Sequence, residues 1–202
     1  ELNGNNRRDW MFSGASALSN TNKGLIHATF SGHWSWRNDW REFVVIDDTN
    51  FQTTVNLWFS DQAEANATYG HISNWDVSAV TNMSEAFKDR ATFNEDISAW
   101  NVGNVTDMEG TFHTATAFNQ AIGDWHPSAV TRMGFMFKSA TAFNQDIGDW
   151  DLSTLSSMSE MFHQAVAFNQ AIGDWNTSAV TTMAHMFRNA TTFNQAIGDW
   201  NT

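Results

Sequence analysis

Five side chains that are positively charged, or become so on protonation, recur in this chain at intervals of 25 residues. They are Lys88, His113, Lys138, His163 and Arg188. Such a row can bind a polyanion such as an anionic polysaccharide, and protonation of its histidines would strengthen the binding. The alternative is structural, because cations at the end of a helix interact favourably with its dipole. Glu85 and Glu160 each precede a member by three residues, which is ion-pair spacing on a helix.

Aspartates recur at the same interval and are candidate calcium ligands. They are Asp124, Asp149, Asp174 and Asp199. Carboxylates suit hard cations, but the chain lacks a clustered Asp-x-Asp pattern, and Asp beside Gly is a common turn residue. We therefore expect no cofactor, with calcium as the alternative.

Two columns of amide side chains accompany these charges. The asparagines are Asn94, Asn119, Asn144, Asn169 and Asn194. The glutamines are Gln120, Gln145, Gln170 and Gln195, and Glu95 precedes them in the first copy. Stacked Asn side chains can bond to each other or to backbone groups of the next copy, so we expect a structural ladder, with an outward ligand-binding column as the alternative. The Gln column is a candidate binding face.

No arrangement typical of catalysis occurs. The chain has 0 cysteines, which excludes thiolate chemistry and Cys-ligated metals. Neither an H-E-x-x-H nor a G-x-S-x-G motif is present. A net charge of −12 argues against nucleic acid, and no apolar run approaches the ~20 residues of a membrane span. We expect a protein that is not an enzyme and neither binds nucleic acid nor inserts into a membrane.

The columns are positioned by a repeat of 25 residues without insertion or deletion. Its most regular markers are Trp75, Trp100, Trp125, Trp150, Trp175 and Trp200. Val130, Met133 and Phe137 show i, i+3, i+7 spacing, which predicts a short helix with Ser128 as its N-cap. The phrase F-N-Q-x-I predicts a strand, and G-D-W a turn. The predicted fold class is an α/β repeat, a solenoid of five 25-residue strand-turn-helix coils with an N-terminal capping segment.

Three regions follow from this organisation. Residues 1–46 are an irregular or β segment rich in aromatic side chains. Residues 47–71 are expected to form a helical N-terminal cap, with Asp48 or Thr49 at the start of a helix. Residues 72–202 form the repeat array.

The array is expected to be truncated or open at its C-terminal end. Phe193, Ile197 and Trp200 lack a following copy and would expose apolar surface there. They are candidate end-stacking residues, because a heterologous contact through an open end builds a filament.

The consensus W-x-x-S-x-V-T-x-M-x-x-M-F-x-x-A-x-x-F-N-Q-x-I-x-x-W resembles the repeat of BspA-like leucine-rich-repeat surface proteins. The resemblance covers about 72–202, and 47–71 is similar to the family's lead-in helix. Leu155-Ser156 replaces Val-Thr in the fourth copy, and Arg90 replaces Ala in the first. The resemblance implies a leucine-rich-repeat-like solenoid at a cell surface or in an extracellular matrix, linked to adhesion or protein binding.

These observations predict a non-enzymatic extracellular or cell-surface solenoid that binds a protein or a polysaccharide through its repeated face. Equal contacts on successive copies would add in affinity. The alternative is a self-assembling subunit that stacks end to end into a filament or matrix. A third hypothesis, ice binding, rests on a column of hydroxyls at Thr81, Thr106, Thr131 and Thr181, which Ser156 interrupts.

Overall fold

The computed structural model describes residues 44–198 and 200. The first 43 residues, which include most of the predicted aromatic-rich segment 1–46, lie outside the described residues, as does Asp199. Helix α1 (Phe51–Ser60) and helix α2 (Gln62–Tyr69) precede a 3-10 turn (Ile72–Asn74). Beyond this turn, the described part of the chain has neither helix nor strand. No helix of the described residues is long and apolar enough to cross a bilayer.

The predicted fold class, an α/β solenoid of five strand-turn-helix coils, is wrong. The segment expected to be helical is a series of overlapping tight turns, and the F-N-Q-x-I phrase is not a strand. The amide of Ala86 donates to the carbonyl of Met83 (3.2 Å), and that of Lys88 donates to that of Glu85 (3.1 Å). These bonds span three residues, whereas α-helical bonds span four. Isolated parallel bridges join successive copies through Asn82, Asp107, Arg132, Ser157 and Thr182.

The turns replace the helix because every second amide bonds to the next copy. The amide of Gly110 donates to the carbonyl of Gly134 (2.8 Å), and that of Phe112 donates to that of Met136 (2.9 Å). A helix would use these amides within its own segment and leave adjacent copies unconnected. A helix of two turns is also marginal by itself. The stacked turns therefore satisfy the hydrogen-bonding groups of the backbone, some within a copy and others between adjacent copies.

This arrangement requires left-handed backbone at the third residue of many turns, as type II turns do. Positive φ values occur at Glu85, Asp89, Thr114, Phe135, Ser139, Glu160, Gln164, His185 and Asn189, and at Gly110 in the same column. A left-handed conformation costs a non-glycine residue about 1–2 kcal/mol. The hydrogen bonds between copies offset this cost.

Two columns of stacked phenylalanines form the core. One is Phe87, Phe112, Phe137, Phe162 and Phe187, and the other is Phe93, Phe118, Phe143, Phe168 and Phe193. Ring centroids lie 3.9–4.1 Å apart within a copy and 5.5–6.0 Å apart between copies. The rings preceding the last copy are at most 2% exposed. Since burial of one such ring contributes roughly 1.5–3 kcal/mol, these columns contribute a large part of the apolar stabilisation.

The tryptophans also connect neighbouring copies through hydrogen bonds. The indole N–H of Trp100 donates to the carbonyl of Ile72 (2.9 Å), and that of Trp125 donates to that of Ile97 (3.2 Å). The same bond recurs for the three later tryptophans, at 3.1 Å each. Each tryptophan therefore packs in the core and satisfies a carbonyl of the preceding copy.

Helix α1 covers the N-terminal end of the array. Phe59 lies 6.4 Å from Phe87 and 5.7 Å from Phe93, so it occupies the place of a preceding copy's ring. The guanidinium of Arg90 lies 4.4 Å above the Phe59 ring and donates to the side-chain oxygen of Asn56 (2.9 Å). This contact explains why the first copy has Arg where later copies have Ala.

Asp48 does not cap α1. Its side chain instead accepts hydrogen bonds from backbone amides of the first copy. The N-cap of α1 is Asn50, whose side chain makes no capping bond. The carboxylate of Asp48 accepts from the Thr81 amide (2.7 Å), the Thr81 hydroxyl (2.6 Å) and the Asn82 amide (3.1 Å). In the next copy, the amide of Thr106 donates instead to the carbonyl of Thr81 (2.8 Å). Asp48 thus substitutes for the carbonyl of an absent copy.

We expect Asp48→Ala to lower the free energy of unfolding by about 1 kcal/mol near neutral pH, the size of a lost cap. The hydrogen bond from the Thr81 hydroxyl lowers the pKa of Asp48 most; burial opposes it, and the amides of Thr81 and Asn82 lower it further. Because the folded pKa is depressed, this stabilisation is present above the unfolded value of about 3.9 and is lost as pH falls through the folded pKa. Urea unfolding of both proteins across pH measures the difference.

Asp149→Ala is the matched control for this variant, because Asp149 is exposed and accepts no hydrogen bond from the described residues. We expect it to change the free energy of unfolding by less than ~0.5 kcal/mol. A difference between wild type and Asp48→Ala that persists undiminished in acid would contradict the capping role.

Candidate functional site

The asparagine column forms a continuous ladder between copies. The side-chain oxygen of Asn94 accepts from the backbone amide of Asn119 at 2.9 Å. The same bond joins Asn119 to Asn144, Asn144 to Asn169, and Asn169 to Asn194, at 2.8–2.9 Å. These side chains therefore supply acceptors that the backbone of the next copy requires.

The glutamine column belongs to the same hydrogen-bond system. The side-chain nitrogen of Gln145 donates to the backbone oxygen and to the side-chain oxygen of Asn119, both at 3.0 Å. Equivalent bonds fix Gln120, Gln170 and Gln195. The side-chain oxygens of these four residues accept no hydrogen bond within the described part of the chain. Each half-exposed Gln therefore uses its donor inside the protein and keeps an acceptor for a partner.

Exposed aspartates lie beside the glutamines. A shallow cavity of about 270 Å³ lies between two adjacent copies and is lined by Ala121, Gly123, Asp124, Gln145, Asp146 and Asp149. Gly123 permits this close contact, since a Cβ there would lie 2.6 Å from the Asp146 carbonyl oxygen. We call the surface formed by these polar columns the acceptor face. Its members are Gln120, Gln145, Gln170, Gln195, Asp124, Asp146, Asp149 and Asp174.

The acceptor face carries no positive charge. All Lys and Arg residues between 44 and 198 lie in or beside the turn segments, at Lys88, Arg90, Arg132, Lys138 and Arg188. Residues 91–131 and 139–187 contain neither Lys nor Arg. The repeats therefore present Lys and Arg along the turn segments and none along the acceptor face.

The aspartates do not assemble a metal site in the described residues. No group of three or more His, Cys, Asp or Glu side chains there could hold a metal ion. Asp199, the last member of the predicted calcium column, lies outside the described residues.

Carboxylates lie at ion-pair distance from three members of the predicted basic stripe, whereas His113 and Arg188 form no ion pair within the described residues. Lys88 pairs with Glu85 at 2.7 Å, and Glu160 lies 2.7 Å from both Lys138 and His163. The bonds from Lys138 and then His163 lower the pKa of Glu160 to about 2, so it stays ionised. Because no helix ends here, the predicted dipole interaction is wrong; ion pairs between and within copies take its place.

The environment of His113 opposes its protonation. Burial lowers the pKa of His113, and the positive charges of Lys138 and Lys88 lower it further. Its protonation therefore requires more acidic conditions than for an exposed histidine.

The threonine column lies in the turn segments, not in a helix. The hydroxyls of Thr106 and Thr131 donate to the carbonyls of Thr81 and Thr106, both at 3.2 Å, and that of Thr181 donates to that of Ser156 at 3.0 Å. Each of these hydroxyl groups uses its single donor within the protein. Fewer hydroxyl donors therefore remain to order water than the ice-binding hypothesis assumes.

The predicted end-stacking residues lie together on one surface, the C-terminal end face. It consists of Val180, Met183, Phe187, Phe193, Ile197 and Trp200, all partly buried and packed against the core. The equivalent residues one copy earlier are buried, including Phe168 at 0% and Trp175 at 3% exposure.

Comparison with known proteins identifies a family for this repeat. The profile of a family described as "Mycoplasma protein of unknown function, DUF285" matches residues 53–165 and 125–202. The chain belongs to the DUF285 family. No curated protein and no solved structure matches it. The resemblance of this DUF285 chain to BspA-like leucine-rich-repeat proteins is not tested by these matches and stays a prediction.

Two features of this DUF285 chain escaped sequence reasoning. Asp146 lines the cavity, but its column holds both Asp and Ala and shows no obvious pattern. The absence of Lys and Arg from the acceptor-face segments is visible in the printed sequence and could have revealed the face.

Proposed function

We propose that this protein is a non-enzymatic binding scaffold at a cell surface or in an extracellular matrix. Its acceptor face binds a lysine- and arginine-rich segment of a partner protein. The observation that carries the proposal is a repeated surface that offers hydrogen-bond acceptors and carboxylates without any cation. The extracellular location rests on the resemblance to BspA-like surface proteins.

The chemistry of the acceptor face favours a partner rich in donors. Lys and Arg side chains carry three and five N–H donors and no acceptor, which complements oxygen atoms of Gln and Asp. The internal bonds of the Gln side chains fix their position, so less side-chain entropy is lost on binding. This arrangement supports recognition of a basic segment.

Anionic polysaccharides fit the described surface less well. The chain carries a net charge of −12, and carboxylates pair with Lys88 and Lys138 in the basic stripe. A polyanion would have to displace these pairs and overcome repulsion from the rest of the surface. We therefore favour the protein partner over the polysaccharide.

Affinity would come from the number of copies engaged. One exposed ion pair contributes only about 0–1 kcal/mol, so a single copy binds weakly. Successive copies present equivalent groups at regular intervals along the stack, and an extended segment can contact several of them. Binding should weaken as salt concentration rises, since exposed charges are screened.

A lysine-rich peptide tests this function, with binding measured by fluorescence anisotropy at low and physiological salt. The double variant Asp146→Asn with Asp149→Asn is expected to weaken binding about 5-fold, from two lost contacts of about 0.5 kcal/mol each. The amide side chain introduced at position 146 would keep an oxygen that can accept from the Gly148 amide, as Asp146 does at 3.0 Å.

The matched control is the double variant Glu85→Gln with Glu160→Gln, which removes equal charge from the basic stripe. It should change peptide affinity less than 2-fold, within the small effect expected of substitutions distant from the contact. Equal weakening by both double variants would show that net charge alone attracts the peptide, and would overturn the assignment to the acceptor face.

A further inference from the structure

The two histidines of the basic stripe have different surroundings. His163 has a carboxylate three residues earlier, and its Nδ1 lies 2.7 Å from an oxygen of Glu160. The residue at the corresponding position before His113 is Gly110, which has no side chain to offer. The ring of His113 is partly buried and forms neither an ion pair nor a hydrogen bond within the described residues. His113 therefore lacks the anion that His163 has.

Lysines of the two adjacent copies flank His113 along the stripe. The amide of Asp89 donates to the carbonyl of His113 (2.9 Å), which places Lys88 one copy before it. The amide of Thr114 donates to the carbonyl of Lys138 (2.8 Å), one copy after it. Protonation of His113 would therefore put a third positive charge between two that are already present.

The carboxylates of the first copy reduce this repulsion without removing it. Glu85 and Asp89 raise the pKa of His113, but burial, Lys138 and Lys88 together lower it by more. Glu85 is also engaged elsewhere, since it pairs with Lys88 at 2.7 Å. Among the described residues, these two lysines and two carboxylates are the charged groups that act on the His113 ring.

The backbone bonds on either side of His113 hold residues in an unfavourable conformation. Asp89 and Thr114, whose amides make these bonds, have φ values of 61° and 57°. Left-handed backbone is unfavourable for residues other than glycine, and it persists where surrounding bonds compensate for it. Repulsion between charges on successive copies would act against these bonds.

We propose that protonation of His113 loosens the stack between the first three copies and so makes this part of the array sensitive to mild acid. Positive charges at the same position of three successive copies would repel each other, and charging a partly buried ring adds a desolvation cost. The backbone bonds made by Asp89 and Thr114 would then open more often. This sensitivity goes beyond the proposed binding function and does not depend on what the acceptor face binds.

The direction of the pH dependence follows from linkage. Because burial and the flanking lysines lower the pKa of His113 in the folded protein, the opened or unfolded chain binds the proton more readily. Stability therefore begins to fall as pH decreases through the unfolded pKa of about 6.5, and the loss is complete below the folded pKa. Asp and Glu side chains ordinarily titrate at about pH 4, so the carboxylates, including Asp48, act in a lower range.

Hydrogen exchange of the native protein at about pH 7.5 and about pH 5.5, on either side of the unfolded pKa, tests the proposal. Protection factors remove the effect of pH on intrinsic exchange. Those of the Asp89 and Thr114 amides are expected to fall about 3-fold in acid, as for one interaction between partly exposed charges. The amides of Ser139 and Gln164, which make the equivalent bonds beside His163 at 2.8 Å each, should keep their protection. Unchanged protection at Asp89 and Thr114 would overturn the proposal.

His113→Gln removes the titrating ring and is expected to abolish the loss of protection in acid. His163→Gln is the matched control, because it makes the same change beside Glu160 and should leave the loss at Asp89 and Thr114 intact. Equal losses in wild type and in a folded His113→Gln protein would assign the acid sensitivity to other groups. Nuclear magnetic resonance titration of the wild-type His113 ring needs no variant, and a midpoint at or above about 6.5 would contradict the proposal.

Discussion

Phe143→Ala is expected to lower the free energy of unfolding by about 3–5 kcal/mol. Phe143 is 0% exposed and lies 3.9 Å from Phe137 within its copy and 6.0 Å from both Phe118 and Phe168. Its removal leaves a cavity shared by three copies, which the rigid stack cannot close fully. Urea unfolding, followed by both tryptophan fluorescence and circular dichroism, measures the loss.

Phe193→Ala provides a control in the same column. Phe193 is partly buried on the end face and, among the described residues, contacts a neighbouring copy on one side only. Its loss should cost about 1–2 kcal/mol, less than full burial of a phenylalanine contributes. Equal losses in the two variants would contradict the continuous phenylalanine core.

Asn144→Ala is expected to cost about 1–3 kcal/mol, the range for leaving a partly buried donor without its partner. The side-chain oxygen of Asn144 accepts from the amide of Asn169 at 2.9 Å and from the side chain of Gln170 at 2.9 Å. The substitution removes both acceptor bonds while the backbone amide of residue 144 can still donate to Asn119. Hydrogen exchange at the Asn169 amide should accelerate together with the loss of stability.

The variant Asn194→Ala distinguishes the stabilisation that comes from the ladder from any that comes from a general backbone preference for Asn at this position. The side-chain oxygen of Asn194 accepts nothing from the described residues, and its backbone amide bonds to Asn169 in either variant. We expect a change of less than ~0.5 kcal/mol. If Asn194→Ala were as destabilising as Asn144→Ala, local backbone preference rather than the ladder would explain the column.

The sequence predicts the stacking of copies better than their local conformation. Constant spacing requires equivalent positions, and the Trp, Val, Met and Phe columns are buried in the internal copies. The i, i+3, i+7 spacing of Val130, Met133 and Phe137 indicated a helix, yet overlapping turns bury the same three residues. Periodicity indicates which side chains face the core, and both a helix and a series of overlapping turns can produce the same periodicity.

The residue types at these positions also gave no indication of the turns. Left-handed backbone is usually signalled by Gly or Asn, but Glu85, Phe135 and Gln164 adopt positive φ here. The bonds that compensate for this conformation run to residues 24 positions later, as from Phe135 to Ser159. Reasoning from local sequence does not include such partners, so it selected the helix.

The candidate site was predictable where a column repeats without exception. The invariant Asn column, from Asn94 to Asn194, suggested the ladder, whereas the partners of the Gln side chains depended on distances that sequence does not give. The role of Asp48 was missed because its target, Thr81, lies 33 residues away. A lone acidic residue before a helix indicates a cap for that helix when only local sequence is considered.

The bonds between copies have a mechanical consequence for a protein proposed to hold partners at a surface. Each copy is attached to the next by backbone bonds, side-chain bonds and aromatic contacts that run parallel to the axis of the stack. A force that pulls the two ends apart would detach the copies one at a time, because only the contact between the outermost copy and its neighbour resists at any moment. Every released copy of 25 residues would lengthen the chain by roughly 80–90 Å. The array would then extend in equal steps under force before its attachment to the partner fails.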